Sequence, residues 1–214
     1  MAAPDAGGIP TALVTFRDLL GQLDAWFGRG VADAGPGVVL CRRGCAACCL
    51  GPFDISPADA ALVANAVDRL EPATRSLIQS RTAGQVARYA EFSPGWHAPW
   101  DVDAIDDRCF DGISDALADL PCPALGDDGG CLIYEDRPAT CRMIGLSMLT
   151  PEDDQLDNAC PILHTSQRYA ELAPTRFDLA GFESAVDRFD AEARAAGWVS
   201  TTVGGAILGR APGN

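Results

Sequence analysis

Four of the nine cysteines lie within nine residues of one another, and this cluster constrains the fold more than any other feature of the chain. The residues are Cys41, Cys45, Cys48 and Cys49, which gives the spacing C-x3-C-x2-C-C. Thiolate is the ligand that zinc, cuprous copper and iron-sulfur clusters prefer, and cysteines two to four residues apart can bind one centre at little cost in chain entropy. The segment is therefore predicted to form a metal-binding loop.

Composition limits the partners and the cellular compartment that are compatible with these thiols. The net charge of −14 argues against nucleic-acid and membrane partners. Because lysine is absent, lysine-based phosphate loops and Schiff-base sites are excluded. Residues 1–10 carry no secretory signal, and no stretch approaches the about 20 apolar residues of a membrane span. We expect a soluble, cytoplasmic protein, in which reduced thiols serve metal binding or redox chemistry rather than disulfides.

Apolar residues at helical spacing predict a mostly α fold, a single helical domain with two cysteine-rich metal-binding loops. Helices are predicted from Leu13 to the Gly/Pro-rich segment 34–37, from Pro57 to Leu70, and over 72–92, 110–120 and 178–196. Ser56 is expected to cap the second helix, with Asp59 near its positive end. The predicted inward residues are Phe16, Leu20, Leu23, Phe27, Leu62, Val63, Ala66, Val67, Leu70, Leu77, Ile78, Val86, Tyr89, Leu179, Phe182, Val186 and Phe189.

Along the chain, this reading gives an N-terminal packing helix in residues 1–37, a cysteine-rich metal-binding region in 38–162 and a C-terminal helix and tail in 163–214. Cys131–Tyr134 is the only stretch predicted as a strand. No glycine-rich nucleotide-binding loop after a strand is predicted, because Gly204, Gly205 and Gly209 are expected to lie in an isolated tail.

A second group of cysteines is spread more widely and needs a folded chain to bring it together. Its members are Cys122, Cys131, Cys141 and Cys160. The turn-forming residues 126–130 are expected to bring Cys131 back toward Cys122, and Pro138 to stiffen the approach to Cys141.

These motifs resemble the YkgJ-type cysteine-cluster proteins, a family of zinc- or iron-chelating domains. The resemblance covers about residues 38–162 and rests on the 41–49 cluster, a C-P-x-L element at 122–125 and a C-x-I-Y-x-x-R-P-x-x-C-R element at 131–142. The family spacing has two residues between its first cysteines where this chain has three, and flagellin lysine N-methylases look similar in carrying a related cluster. The resemblance implies metal binding by eight cysteines: Cys41, Cys45, Cys48, Cys49, Cys122, Cys131, Cys141 and Cys160.

Other residues near the cysteines are given supporting roles. Arg137 and Arg142 belong to the shared motif and are predicted as cofactor-binding residues that brace the loop and donate hydrogen bonds to sulfur or to a carboxylate. Cys109 is expected to be a small apolar side chain rather than a ligand. His164 follows Cys160 by four residues and is expected to be an ordinary surface or partly buried residue.

The arrangement of the ligands is left open by the sequence. Adjacent side chains point in opposite directions, so Cys48 and Cys49 are expected to reach two metals or different corners of one cluster. Eight thiolates can form two four-sulfur zinc sites, one shared polynuclear site, or one iron-sulfur cluster with the remaining cysteines used elsewhere. Arg42 and Arg43 either are solvated or offset the negative charge of the thiolates.

Three functions are compatible with this pattern. The preferred one is an iron-sulfur protein with a 4Fe-4S type centre, used in redox or in a modification reaction together with a protein partner or electron donor. The second is a zinc protein whose metal braces two loops for partner binding or metal handling. The third is a metal-free thiol redox protein, for which Cys48 and Cys49 would need a low thiol pKa. The sequence leaves open whether the protein is an enzyme.

Overall fold

The computed structural model describes residues 10–42, 44–158, 160, 162–163 and 166–209, and this part of the chain forms one mostly helical domain. The four longer helices are α1 (Thr11–Ala34), α2 (Pro57–Asp68), α3 (Pro72–Phe92) and α7 (Leu179–Ala195). The shorter ones are α4 (Asp107–Ala116), α5 (Ala139–Met143), α6 (Gln167–Ala170) and α8 (Val203–Leu208). The predicted fold class is confirmed.

Strands are short. β1 (Asp54–Ile55) pairs antiparallel with β5 (Thr201–Thr202), while β2 (Met148–Leu149) lies between antiparallel β3 (Gln155–Leu156) and parallel β4 (Thr175–Arg176). The prediction of a strand at Cys131–Tyr134 is wrong. Cys131 forms an isolated bridge to Leu125 instead of a strand, and a 3-10 turn begins at Tyr134, because the chain turns immediately after the hairpin.

The helical periods predicted from the sequence hold for most of the core. Phe16, Leu20 and Leu23 of α1 are fully buried, and Phe182 of α7 packs in the same cluster. Ser56 caps α2 as predicted, since its hydroxyl accepts the amide hydrogen bond of Asp59. Leu77 was predicted to point inward and is instead 43% exposed, because α8 packs against α3 along the face that carries Ile78, Thr82, Gln85 and Tyr89.

The C-terminal segment is part of the core rather than a tail. Helix α8 is buried between α2 and α3, and Thr202 caps it through the amide of Gly205. An added Cβ at Gly204 would lie 2.5 Å from the Gln85 side-chain oxygen, so the small residue allows the helices to approach closely. The expectation of an isolated glycine tail is therefore wrong. Among the described residues, none of the helices is long and apolar enough to cross a membrane.

Candidate metal centre

The first cysteine loop, residues 41–49, is built from two tight turns. The amide of Cys45 donates to the Arg42 carbonyl (2.9 Å), and that of Cys49 to the Ala46 carbonyl (3.0 Å). Val38 and Val39 are buried just before it and tie the loop to the core.

The second cysteine loop, residues 122–142, begins with a hairpin. Leu125 and Cys131 form a bridge, and the Gly126 amide donates to the Gly130 carbonyl (2.7 Å). The predicted return of Cys131 toward Cys122 is confirmed. Pro138 is buried immediately before α5, the short helix that carries Cys141.

The two loops are in direct contact. The amide of Cys122 donates to the Cys49 carbonyl (2.9 Å), and Leu50 bridges Pro121. Gly129, at the hairpin tip, has φ +78°, and a Cβ there would lie 2.9 Å from the carbonyl oxygen of Gly44. The fold therefore brings both cysteine-bearing segments to one place, as a shared centre requires.

Cys160 joins this place from a third segment. The Tyr169 hydroxyl accepts from the Cys160 amide (2.9 Å) and donates to the Gly145 carbonyl (2.7 Å). Gly145 has φ +118°, and a Cβ there would lie 2.9 Å from the Cys41 sulfur. Sequence analysis missed Tyr169 and Gly145 as supporting residues. The available signal was the position of Gly145, four residues after Cys141.

The thiols form two electrostatic neighbourhoods. Burial raises the pKa of Cys41 to about 12, with further increases from the nearby thiols of Cys160, Cys45 and Cys48 and from a hydrogen bond with Cys160. Burial likewise raises the pKa of Cys141, followed by the effects of Cys122 and Cys131, and that of Cys48 contributes as well. The Cys41 group is defined as Cys41, Cys45 and Cys160, and the Cys122 group as Cys122, Cys131 and Cys141.

Cys48 is the exposed thiol of the eight, and it contributes to the raised pKa of both Cys41 and Cys141. A hydrogen bond with Cys49 is the main cause of its raised pKa, followed by burial, while the charge of Arg137 acts in the opposite direction. Crowded thiols of this kind resist ionisation, because each thiolate repels the next. A bound cation would relieve that repulsion, so the all-sulfur donor set suits a thiophilic metal or an iron-sulfur cluster.

The side chains are not gathered around one point. Among the described residues, no three His, Cys, Asp or Glu side chains converge closely enough to hold a metal ion. Two pairs of thiols are hydrogen-bonded, Cys41 with Cys160 and Cys48 with Cys49. Binding of a single ion would thus require thiols to turn inward, although the backbone already brings their segments together.

The second loop is anchored by ion pairs between a partly exposed carboxylate and two more deeply buried arginines. Asp24 of α1 pairs with Arg142 and with Arg137, the latter at 2.6 Å. The Arg142 side chain is only 3% exposed and also donates to the carbonyls of Arg137 (3.0 Å) and Glu135 (2.8 Å). Both arginines therefore brace the loop; contact of either with a cofactor stays a prediction.

Two more carboxylates hold this loop, and sequence analysis assigned neither to the site. Buried Asp136 pairs with Arg17 of α1 and with Arg69, just after α2 (2.6 Å). Asp59 of α2 accepts the amide hydrogen bond of Ala139, the first residue of α5, at 3.2 Å. Burial raises the pKa of Asp59 to about 7, although that hydrogen bond acts in the opposite direction.

Cys109 and Arg42 are the remaining candidate residues that the structure describes. Cys109 packs in an apolar cluster with Trp96, Phe110 and Ile113, which agrees with its predicted packing role. Arg42 is exposed. Arg43 and His164 lie outside the described residues, so their predicted roles stay predictions.

Comparison with known families gives one match. The model of the CxxCxxCC family, described as a "putative zinc- or iron-chelating domain", matches residues 40–161, more than half of the chain and all eight cysteines predicted as ligands. Neither curated proteins nor solved structures gave a significant match.

Proposed function

Since this chain belongs to the CxxCxxCC family of zinc- or iron-chelating domains, we propose that it carries an iron-sulfur centre of the 4Fe-4S type on the thiolates of its two cysteine loops and Cys160. The centre would serve electron transfer or a modification reaction, with an electron donor or protein partner. The observation that carries the proposal is the meeting of three cysteine-bearing segments, with sulfur as the only ligand type that the family motif supplies.

The spacing of the thiols supports a polynuclear centre. Four sulfurs around one zinc, at a Zn–S distance of about 2.3 Å, lie about 3.8 Å from one another. Here thiols touch in pairs, and no three donor side chains of the described residues converge on one ion. A cluster takes its thiolates at separate iron atoms, so it accepts ligands that are spread more widely than those of a single ion.

The protein's own residues would hold and tune this centre. Arg137 lies close enough to Cys48 to lower its pKa, so its charge would offset part of the negative charge of a thiolate-bound cluster. Asp24 and Arg142 fix the position of the Cys141 segment. When bound, an iron-sulfur cluster supplies reversible one-electron transfer.

Zinc is the second candidate, and the contact between Cys41 and Cys160 favours it, because two zinc-bound sulfurs lie at contact distance. Metal-free thiol redox chemistry is disfavoured. That function needs a thiol with a lowered pKa, whereas the hydrogen bond with Cys49 and burial raise the pKa of Cys48.

The test is the content of iron, zinc and acid-labile sulfide in protein purified without air, together with its visible absorption spectrum. Iron with matching sulfide and broad visible absorption would support the proposal. Zinc without sulfide would replace it with the zinc alternative, because zinc is colourless and redox-inactive. Protein that binds neither metal through thiolates would contradict metal binding itself.

A matched pair of variants locates the centre. Cys141→Ser is expected to lose most of the bound metal and to lower the melting temperature, because metal binding and folding are coupled. Cys109→Ser, in the separate apolar cluster, should keep the full metal content. Loss of metal from Cys109→Ser and not from Cys141→Ser would place the centre elsewhere.

A further inference from the structure

A cleft lies between α3 and the beginning of the second cysteine loop. Its volume of about 470 Å³ is within the range of about 300–1,000 Å³ that is typical of small-molecule sites. Arg81, Gly84 and Gln85 of α3 line one part of it, and the other lining residues belong to the segment 120–127. Two leucines and two prolines of that segment line the cleft, so it offers a bound molecule a mostly apolar surface.

Gln85 brings to this cleft a polar group that lacks a partner. The residue is only 5% exposed, and its amide makes no hydrogen bond with any other residue that the structure describes. The amide oxygen packs against α8, 2.5 Å from where a Cβ of Gly204 would lie, so the NH2 group is the end that is left for the cleft. Buried amide donors in proteins are normally hydrogen-bonded, which indicates that a ligand supplies the acceptor here.

The charges around the cleft disfavour an anionic ligand. Arg81 donates to the Leu125 carbonyl (2.7 Å) and to the Asp127 carboxylate (2.5 Å), so its guanidinium is used to join α3 to the second loop. Asp127 offsets the charge of the arginine, and the net charge of −14 repels anions at longer range. An uncharged carbonyl oxygen is therefore the acceptor that suits the Gln85 NH2 group.

We propose that this cleft binds a small neutral molecule with an apolar body and a carbonyl group, whose oxygen accepts a hydrogen bond from the Gln85 side chain. Cys122 lines the same cleft, so the bound molecule lies beside one of the cysteines predicted as metal ligands. Binding in the cleft does not depend on the metal. A role for the bound molecule in the chemistry of the centre rests on the proposed function.

The experiment uses two matched probes, 5-fluoro-1-indanone and 5-fluoroindane, which share the same apolar rings and differ by one carbonyl group. Each is titrated into the full-length chain purified without air, and ¹⁹F nuclear magnetic resonance measures its dissociation constant. About millimolar binding is expected of a ketone this small. The indane should bind about fivefold more weakly, because it leaves the Gln85 donor without an acceptor.

Two kinds of variant locate the binding. Gln85→Met keeps the length of the side chain and removes the donor, so the ketone should bind only as weakly as the indane. Gly84→Leu should abolish binding of both probes, because Gly84 lines the cleft and a Cβ there meets nothing within 4 Å. Gly28→Leu, at a similarly open glycine of α1, is the control and should leave both dissociation constants unchanged.

The outcomes separate the cleft from the metal centre. Absence of saturable ketone binding, equal affinity for the two probes, or unchanged binding in Gly84→Leu would each overturn the proposal. Gly84→Leu tests it even if Gln85→Met does not fold, which thermal unfolding reports. Metal content, measured on the same samples, should be equal in all variants. Ketone binding by a protein that binds no metal would contradict the proposed function and leave the cleft in place.

Discussion

The second cysteine loop is held by ion pairs from two helical regions, whereas the first is held mainly by its own turns and by contact with the second. Asp24 and Asp136 tie residues 134–142 to α1 and to the end of α2. In the first loop, the described backbone hydrogen bonds run within the turns or across to the second loop. The exposed thiol, Cys48, lies in this less anchored loop.

This difference indicates that the two loops contribute to metal binding in different ways. An anchored loop presents its thiols in fixed positions, which lowers the entropic cost of binding metal. A loop held by turns can move its thiols inward around the metal. Such movement is needed because no three donor side chains of the described residues converge on one point. We expect changes in the anchors to act on folding first, and changes at the contact between the loops to act on metal affinity.

The largest expected effect comes from Asp24→Ala, which removes the carboxylate shared by Arg137 and Arg142. Arg142 is almost fully buried, so its charge would lose its partner inside the protein. Removing one partner of a buried pair costs about 3–5 kcal/mol, and we expect about 3 kcal/mol here because Asp24 stays partly exposed. Urea denaturation measures the free energy of unfolding.

Asp18→Ala is the control for that change, because Asp18 is an exposed carboxylate of the same helix. It should alter the free energy of unfolding by less than about 0.5 kcal/mol. If both variants were equally stable, the ion pairs would not anchor the loop, and the contrast between the two loops would lose its basis.

The anchors show where sequence-based prediction stopped. Spacing and caps predicted α1, α2, α3 and α7, because those signals lie within the helices themselves. Asp24 pairs with Arg137 and Asp136 with Arg17, each more than a hundred residues away, and in the sequence a carboxylate looks the same whether it faces solvent or a distant arginine. Their role depends on tertiary structure alone.

Two further residues show the same limit. Asp59 lies in the first turn of α2 as predicted, but its burial against α5, which disfavours its charge, comes from the packing of another segment. The hairpin of the second loop was predictable because turn residues encode it locally. Helix α8 was missed because its short glycine-containing sequence carries no long apolar period, and its smallness is what lets it fit between α2 and α3.

The second prediction concerns the pH dependence of stability, which tests the contact between Asp59 and the anchored loop. Burial raises the folded-state pKa of Asp59 from 3.8 to about 7, so the folded state holds a proton that the unfolded state has released. The stability contributed by this group is therefore complete below pH 3.8 and is lost as the pH rises through about 7. Asp59→Asn should remove that loss, since an amide does not ionise and its oxygen still accepts the hydrogen bond of the Ala139 amide.

The measurement is urea denaturation of the metal-free protein between pH 5 and 7, below the range in which thiols titrate. Relative to Asp59→Asn, the unaltered protein should lose about 2 kcal/mol over this range, since one pKa unit corresponds to about 1.4 kcal/mol. Asp54→Asn changes an exposed carboxylate nearby and serves as the control. A constant difference between Asp59→Asn and the unaltered protein would show that Asp59 is ionised throughout.

The smallest expected effect tests the contact between the loops. Gly129 and Gly44 both have positive φ, +78° and +89°, so alanine at either position costs about 1–2 kcal/mol in backbone strain. Only at Gly129 would the added Cβ also approach another backbone atom, the Gly44 carbonyl oxygen at 2.9 Å, whereas a Cβ at Gly44 meets nothing within 4 Å. Gly129→Ala should therefore be less stable than Gly44→Ala by about 1 kcal/mol and bind metal more weakly. Thermal unfolding and metal titration of the two variants measure this difference.

If metal binds both equally well, the first loop closes around the metal without help from the hairpin tip, and the direct interloop hydrogen bond from Cys122 to Cys49 would be sufficient to align the two halves of the centre.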